Sequence, residues 1–233
     1  MQRKIFAIGF NKSGTTSIHK LFESLGLRSY HGTVWRSCDD ISLLNSYDCF
    51  SDGSPNDLSK FDKLFADSKY IWQVRELESW IYSRLAHIEI AKTNPQFTSS
   101  KYWDITETAV TFWIKRCIKY HLYLYDYFKK RPQDVIMVNI IRDIDAATKI
   151  CNFLGYSGSY ETPKMNINSR KEIPEHHIDL FKKCISDLKI PEYELEYDVY
   201  CPNLASRRIV NKYPPDSGLL RFFPKIRINT IRY

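Results

Sequence analysis

Lys4-Ile-Phe-Ala-Ile-Gly9-Phe-Asn-Lys-Ser-Gly14-Thr-Thr16 decides how this chain is read. Its first half is a short apolar run of strand-forming residues, and its second half is polar and carries two glycines. Behind it Ile18, Leu21, Phe22 and Leu25 recur at helical spacing until Gly26, a stop signal. The stretch therefore reads as strand, loop and helix. The same alternation continues outward. Strands are expected at Asp48-Cys-Phe-Ser, at Tyr70-Ile-Trp-Gln-Val74 and at Asp134-Val-Ile-Met-Val-Asn139. Helical patterns cover Leu58 to Phe65, Leu77 to Ala91, Trp103 to Lys130, Asp143 to Leu154 and Glu175 to Leu188. Strands alternating with helices predict an α/β fold: a central, mainly parallel sheet flanked by helices in three layers. Ligands of such sheets sit at the carboxyl ends of the strands. The loops to examine are Phe10–Thr16, Ser51–Asn56, Arg75–Glu78 and Ile140–Asp143.

The loop after the first strand resembles a Walker A loop, G-x-x-x-x-G-K-[ST], with one change: Thr15 stands where that motif has its lysine. The lysine of this loop is Lys12, in its middle. Backbone N–H groups of a glycine-containing loop entering a helix still form an anion cradle, and Thr15 and Thr16 add hydroxyls. Without a lysine reaching β- and γ-phosphates, the loop suits a nucleotide with a single 5′-phosphate. Lys4 through Ser17 is similar to the 5′-phosphosulfate loop of the PAPS-dependent sulfotransferases, whose common form is P-K-[ST]-G-T-T (PAPS is 3′-phosphoadenosine-5′-phosphosulfate). Asn11 replaces the proline of that form. The resemblance implies a P-loop-type fold and an enzyme that moves a sulfonate group from PAPS to a hydroxyl or amine, leaving PAP. It implies that Asn11, Lys12, Ser13, Gly14, Thr15 and Thr16 hold the 5′-phosphosulfate, with Lys12 on the bridging oxygen.

Two further segments carry the likeness. In Tyr70-Ile-Trp-Gln-Val-Arg75-Glu-Leu-Glu-Ser-Trp-Ile-Tyr-Ser83 a strand ends in Arg, and Ser follows eight residues later, as in the family's 3′-phosphate motif. An Arg fork with a helix-borne hydroxyl suits a dianionic phosphate. Val135 through Tyr156, with Phe153-Leu-Gly155, resembles the family's strand, acidic turn and helix. The family's R-K-G loop is absent, and Ser169-Arg-Lys-Glu172 is a partial echo of it. Sulfonate transfer also needs a base for the acceptor proton. Asp52 and His31 are the two candidates: Asp52 lies in the loop after a strand, 23 residues before Arg75, and His31 follows the first helix. A free carboxylate is a weak base near neutral pH, so Asp52 needs a dry site. A metal is not expected.

Composition bounds the rest. The chain has 233 residues, 43% hydrophobic and 26% charged, which excludes a disordered or linker-dominated protein. Its start lacks the long apolar run of a signal peptide, and no stretch approaches the roughly 20 apolar residues of a membrane span. A cytoplasmic location is the expectation, with the six scattered cysteines reduced. The net charge is +7, of which residues 202–233 contribute +6. Residues 1–201 are expected to form the sulfotransferase-like domain, and 202–233 a basic extension packed on it that steers anions. The expected partner is a small-molecule or glycan acceptor, anionic or not, and not a specific nucleic acid. Oligomeric state stays open. A P-loop nucleotide kinase or NTPase, and a non-catalytic nucleotide- or anion-binding protein, are the alternative functions.

Overall fold

The computed structural model describes residues 3–94, 104–163, 173–195 and 198–199. The Ser169–Glu172 segment, Trp103 and the extension 202–233 lie outside these residues. The element order is β1 (Ile5–Ala7), α1 (Thr15–Ser24), β2 (Ser29–His31), a 3-10 turn (Val34–Ser37), α2 (Ile41–Ser46), β3 (Cys49–Ser51), α3 (Ser59–Leu64) and β4 (Lys69–Gln73). After these come α4 (Leu77–Lys92), α5 (Glu107–Phe128), β5 (Val135–Val138), α6 (Ala146–Leu154) and α7 (Glu175–Asp187). The described residues divide into two compact units. One holds 3–74 and 128–163; the other holds 75–94, 104–127, 173–195 and 198–199.

The first unit carries the whole sheet. Its five strands run in the order β2-β3-β1-β4-β5, and every pairing is parallel. This is the α/β arrangement the alternation predicts. The β1-to-β2 and β3-to-β4 crossovers run in opposite directions across the sheet, so right-handed connections put α1 and α3 on opposite faces. The face beneath α3 is aromatic. Phe6 stands opposite Phe50 and Tyr70 in register. Their rings lie 5.3 and 5.7 Å apart, with Phe61 of α3 edge-on to Phe6 at 4.8 Å. All four are fully buried, and truncating Phe6 to Ala costs about 3–5 kcal/mol by the usual large-to-small scale. α1 ends at Gly26, whose φ of 74° sustains a left-handed turn in which Leu27 N–H reaches back to the Phe22 carbonyl at 3.1 Å.

β2 and α2 have no counterpart in the sequence reading. Ser29–His31 is polar and half-exposed and shows no alternation, so nothing in its composition marks a strand. It is held as an edge by register with β3 and by Arg28. That guanidinium donates to both Asp48 carboxylate oxygens, at 3.0 and 2.8 Å, and the Arg28 backbone N–H donates to Asp48 at 3.1 Å. These donors hold Asp48 below the usual carboxylate range.

The second unit is helical. α4 buries Leu77, Trp80, Ile81, Leu85 and Ile88, one face at helical spacing. Tyr82 of α4 meets Phe181 of α7 edge-on at 5.3 Å, and His177 of α7 pairs with Glu89 at 3.0 Å. Of the aromatics on α5, Trp113 and Tyr120 are core residues while Phe112 is exposed. Arg84 lies over the Trp113 ring at 4.3 Å, and burial lowers its pKa to about 10. No described helix is long and apolar enough to cross a membrane. Cys38, Cys49, Cys117, Cys151 and Cys184 are free and buried.

Candidate functional site

The loop between β1 and α1 leaves the sheet where the strand order reverses. From β1 the chain turns towards β2, and from β4 it turns the other way, so the crevice between those two strand ends is the switch point of the sheet. Close packing dictates the glycines. A Cβ on Gly9 would come within 2.5 Å of the Gln73 Cβ and 2.8 Å of the Ser13 hydroxyl. A Cβ on Gly14 would come within 2.2 Å of Ile140, and its φ of 86° is left-handed. Between them Lys12 also sits at positive φ, 68°. The turn is closed by Ser13, whose N–H and hydroxyl both donate to the Phe10 carbonyl, at 3.2 and 2.6 Å.

Gly14 is the N-cap of α1 and contributes no side chain to cap it. The first turn of α1 carries no acid. Its leading N–H groups therefore present a positive end without a side-chain cap, edged by Asn11, Lys12 and Thr16, all half-buried. A phosphate or sulfate group matches this donor set.

Both candidate bases stand against that turn. The Thr15 hydroxyl donates to Asp52 at 3.4 Å. Asp52 follows β3 and holds a left-handed φ of 68°. The Thr16 hydroxyl lies 3.5 Å from His31 Nε2, and His31 Nδ1 meets the Ser51 hydroxyl at 2.9 Å. The His31 ring stacks on His19 of α1 at 5.2 Å and 20°, and His19 Nδ1 meets the Ser29 hydroxyl at 2.8 Å. Burial pushes His19 below the ordinary histidine value, and Glu23 offsets part of this. Sequence reasoning named Asp52 and His31 but not Ser29, Ser51 or His19. The signal for these was the strand β2, whose pairing with β3 sets His31 beside Ser51.

The 3′-phosphate candidates lie in the second unit. The Arg75 Nε donates to Ser79 at 2.9 Å. Ser83 is one helical turn beyond Ser79 on α4, so the two hydroxyls share a face. Burial lowers the Arg75 pKa, with Glu76 acting against it. Ser79 was missed; a hydroxyl four residues after the arginine was its signal. Among the described residues no group of three or more His, Cys, Asp or Glu side chains is placed to hold a metal ion.

No protein-family model matches the chain, and no curated protein matches it. Solved structures similar to it include mouse sulfotransferase SULT7A1 complexed with PAP, at 15% identity over 82% of this chain and 67% of that one, with a TM-score of 0.44. Another is a sulfotransferase from Alicyclobacillus acidocaldarius, at 13% identity over 81% of this chain and 95% of that one, with a TM-score of 0.45. At such distances the functional reading rests on this chain's own residues.

Proposed function

We propose that the chain transfers a sulfonate group from PAPS to a hydroxyl or amine of an acceptor. One observation carries this reading. A helix N-terminus at the switch point has a lysine in the middle of its loop, no acid in its first turn, and two candidate bases against its threonines. The cradle fits a phosphate: Gly9 and Gly14 leave room for the loop to turn tightly, and the N–H groups of α1 lack a side-chain cap. PAPS, when bound, supplies a sulfonate on an oxygen bridge, activated for in-line displacement. The N–H groups of the first turn and the hydroxyls of Thr15 and Thr16 bind its 5′-phosphate. The Lys12 ammonium offsets the charge that builds on the departing bridge oxygen, a stabilisation worth most in a water-poor site. Arg75, with Ser83 and Ser79, takes the 3′-phosphate. Asp52 or His31 accepts the acceptor's proton.

Thermal unfolding with adenosine 3′,5′-bisphosphate against ATP–Mg tests this, followed by transfer of labelled sulfate from PAPS to a panel of acceptors. Bisphosphate at 100 times its Kd adds about 2.7 kcal/mol of stability. Stabilisation by ATP–Mg alone overturns the reading in favour of a kinase or NTPase. Stabilisation by bisphosphate without transfer to any acceptor makes the chain a binding protein.

A further inference from the structure

The scheme above leaves one side chain at the switch point without work. Gln73, the last residue of β4, is 1% exposed, and neither its Nε2 nor its Oε1 has a hydrogen-bond partner among the described residues. It lies against the anion loop. Continuing the β1–β4 register by two residues sets it beside Gly9, and its Cβ and Oε1 are 2.5 and 3.0 Å from where a Gly9 Cβ would stand. A carboxamide brings two donors and an acceptor, and burying it unpaired is a standing penalty. The neighbouring strand shows the contrast. Asn139, just past β5 and also 1% exposed, has its Oδ1 occupied by the N–H groups of Ile141 and Arg142, each at 3.2 Å. One buried amide is used by the loop behind it; the other faces the anion loop and is unused.

Loop geometry supplies the missing partner. When successive N–H groups converge on an anion, the carbonyls of the same peptides turn to the opposite side. Gln73 packs against the first residue of this loop, Gly9. We propose that Gln73 is a positioning residue for the anion loop: its carboxamide NH2 donates hydrogen bonds to peptide carbonyls of residues 9–13 once a phosphate-type anion fills the cradle. Anion binding then relieves a buried orphan, and the loop's affinity depends on a residue that does not touch the ligand. The proposal rests on the anion-binding part of the function proposed above and not on sulfonate transfer.

The test uses the full chain, with inorganic phosphate and adenosine 3′,5′-bisphosphate as probes, read by calorimetry and thermal unfolding. Gln73→Met keeps the length of the side chain and removes every polar atom. The expected result is a ligand-free Tm equal to or above that of the wild type, with phosphate affinity reduced about tenfold or more. A lower ligand-free Tm with unchanged affinity makes Gln73 a packing residue and overturns the proposal. Gln73→Glu keeps the shape but replaces the donor with a charge. Sulfate, whose own charge is constant, binds this variant weakly at about pH 8, and acidification to about pH 5 restores binding as the carboxyl regains an O–H donor. A sulfate profile parallel to that of the wild type overturns the proposal, even if Gln73→Met fails to fold. Wild-type protein that binds phosphate but not bisphosphate sinks the PAPS reading and leaves Gln73 in its role. Equal binding of both ligands by the wild type and Gln73→Met does the reverse.

Discussion

The proposed function gives Lys12 and Arg75 to the two phosphates of one nucleotide, and the chain holds the two side chains by different means. Lys12 is aimed by backbone: it holds a φ of 68° in a loop pinned by Gly9 and Gly14, with Ser13 fastened to the Phe10 carbonyl. Arg75 is aimed by a side chain, the Ser79 hydroxyl at 2.9 Å, and by burial. Backbone aiming demands particular residue types at fixed spacing, so it is written in the sequence. Side-chain aiming needs one hydroxyl on a helix and leaves almost no trace.

The largest effect is expected at Lys12. Lys12→Ala lowers kcat about 10²–10³-fold if its charge serves the leaving oxygen. Lys12→Gly sharpens the point, because glycine takes positive φ freely and so removes the side chain without straining the backbone. Equal kcat losses in the two variants assign the effect to the ammonium, whereas recovery in Lys12→Gly assigns it to the loop. Next comes the base. Asp52→Asn keeps an acceptor for the Thr15 hydroxyl and lowers kcat about 100-fold while bisphosphate affinity holds. If His31→Ala produces that loss instead, the proton goes to His31.

Arg75→Ala is expected to weaken adenosine 3′,5′-bisphosphate binding about 10- to 100-fold and to leave adenosine 5′-phosphate within about twofold. Equal losses for the two nucleotides, measured by calorimetry, would mean that Arg75 supports the loop and break the comparison. Ser79→Ala tests side-chain aiming alone, with a loss of a few-fold in bisphosphate affinity, about 1 kcal/mol or less. The smallest effect belongs to the frame that carries both loops. Asp48 titrates below its unfolded value, so its contribution to stability is complete above the ordinary carboxylate pKa and disappears as pH falls through the lowered one. Asp48→Asn lowers Tm above the carboxylate range, where that contribution is complete, and flattens the acid limb of the Tm–pH curve.

The strands β1, β3, β4 and β5 and the helices other than α2 were legible because buried parallel strands are continuous apolar runs and the helices carry one apolar face. β2 was not, because Ser29, Tyr30 and His31 owe their extended form to β3 and to the Arg28–Asp48 pair, both distant in sequence. The tight loop between β1 and α1 was legible from Gly9 and Gly14. Gln73 was not, because an amide inside an apolar strand shows its burial only when the partner strands are in place. The hydroxyl contacts of Asp52 and His31 depend in the same way on β2 and β3 lying side by side.

The all-parallel sheet also has a consequence for how the chain comes off the ribosome. A parallel sheet has no hairpins, so each strand must wait for a distant partner: Ile5 for Cys49 and Lys69, and Tyr70 for Val135. At roughly 5–20 residues per second of synthesis, the outer edge of Tyr70-Ile71-Trp72 is finished several seconds before β5 exists to cover it. During that interval the nascent protein exposes an apolar strand edge on a sheet that lacks only β5, the kind of edge that invites pairing with other chains.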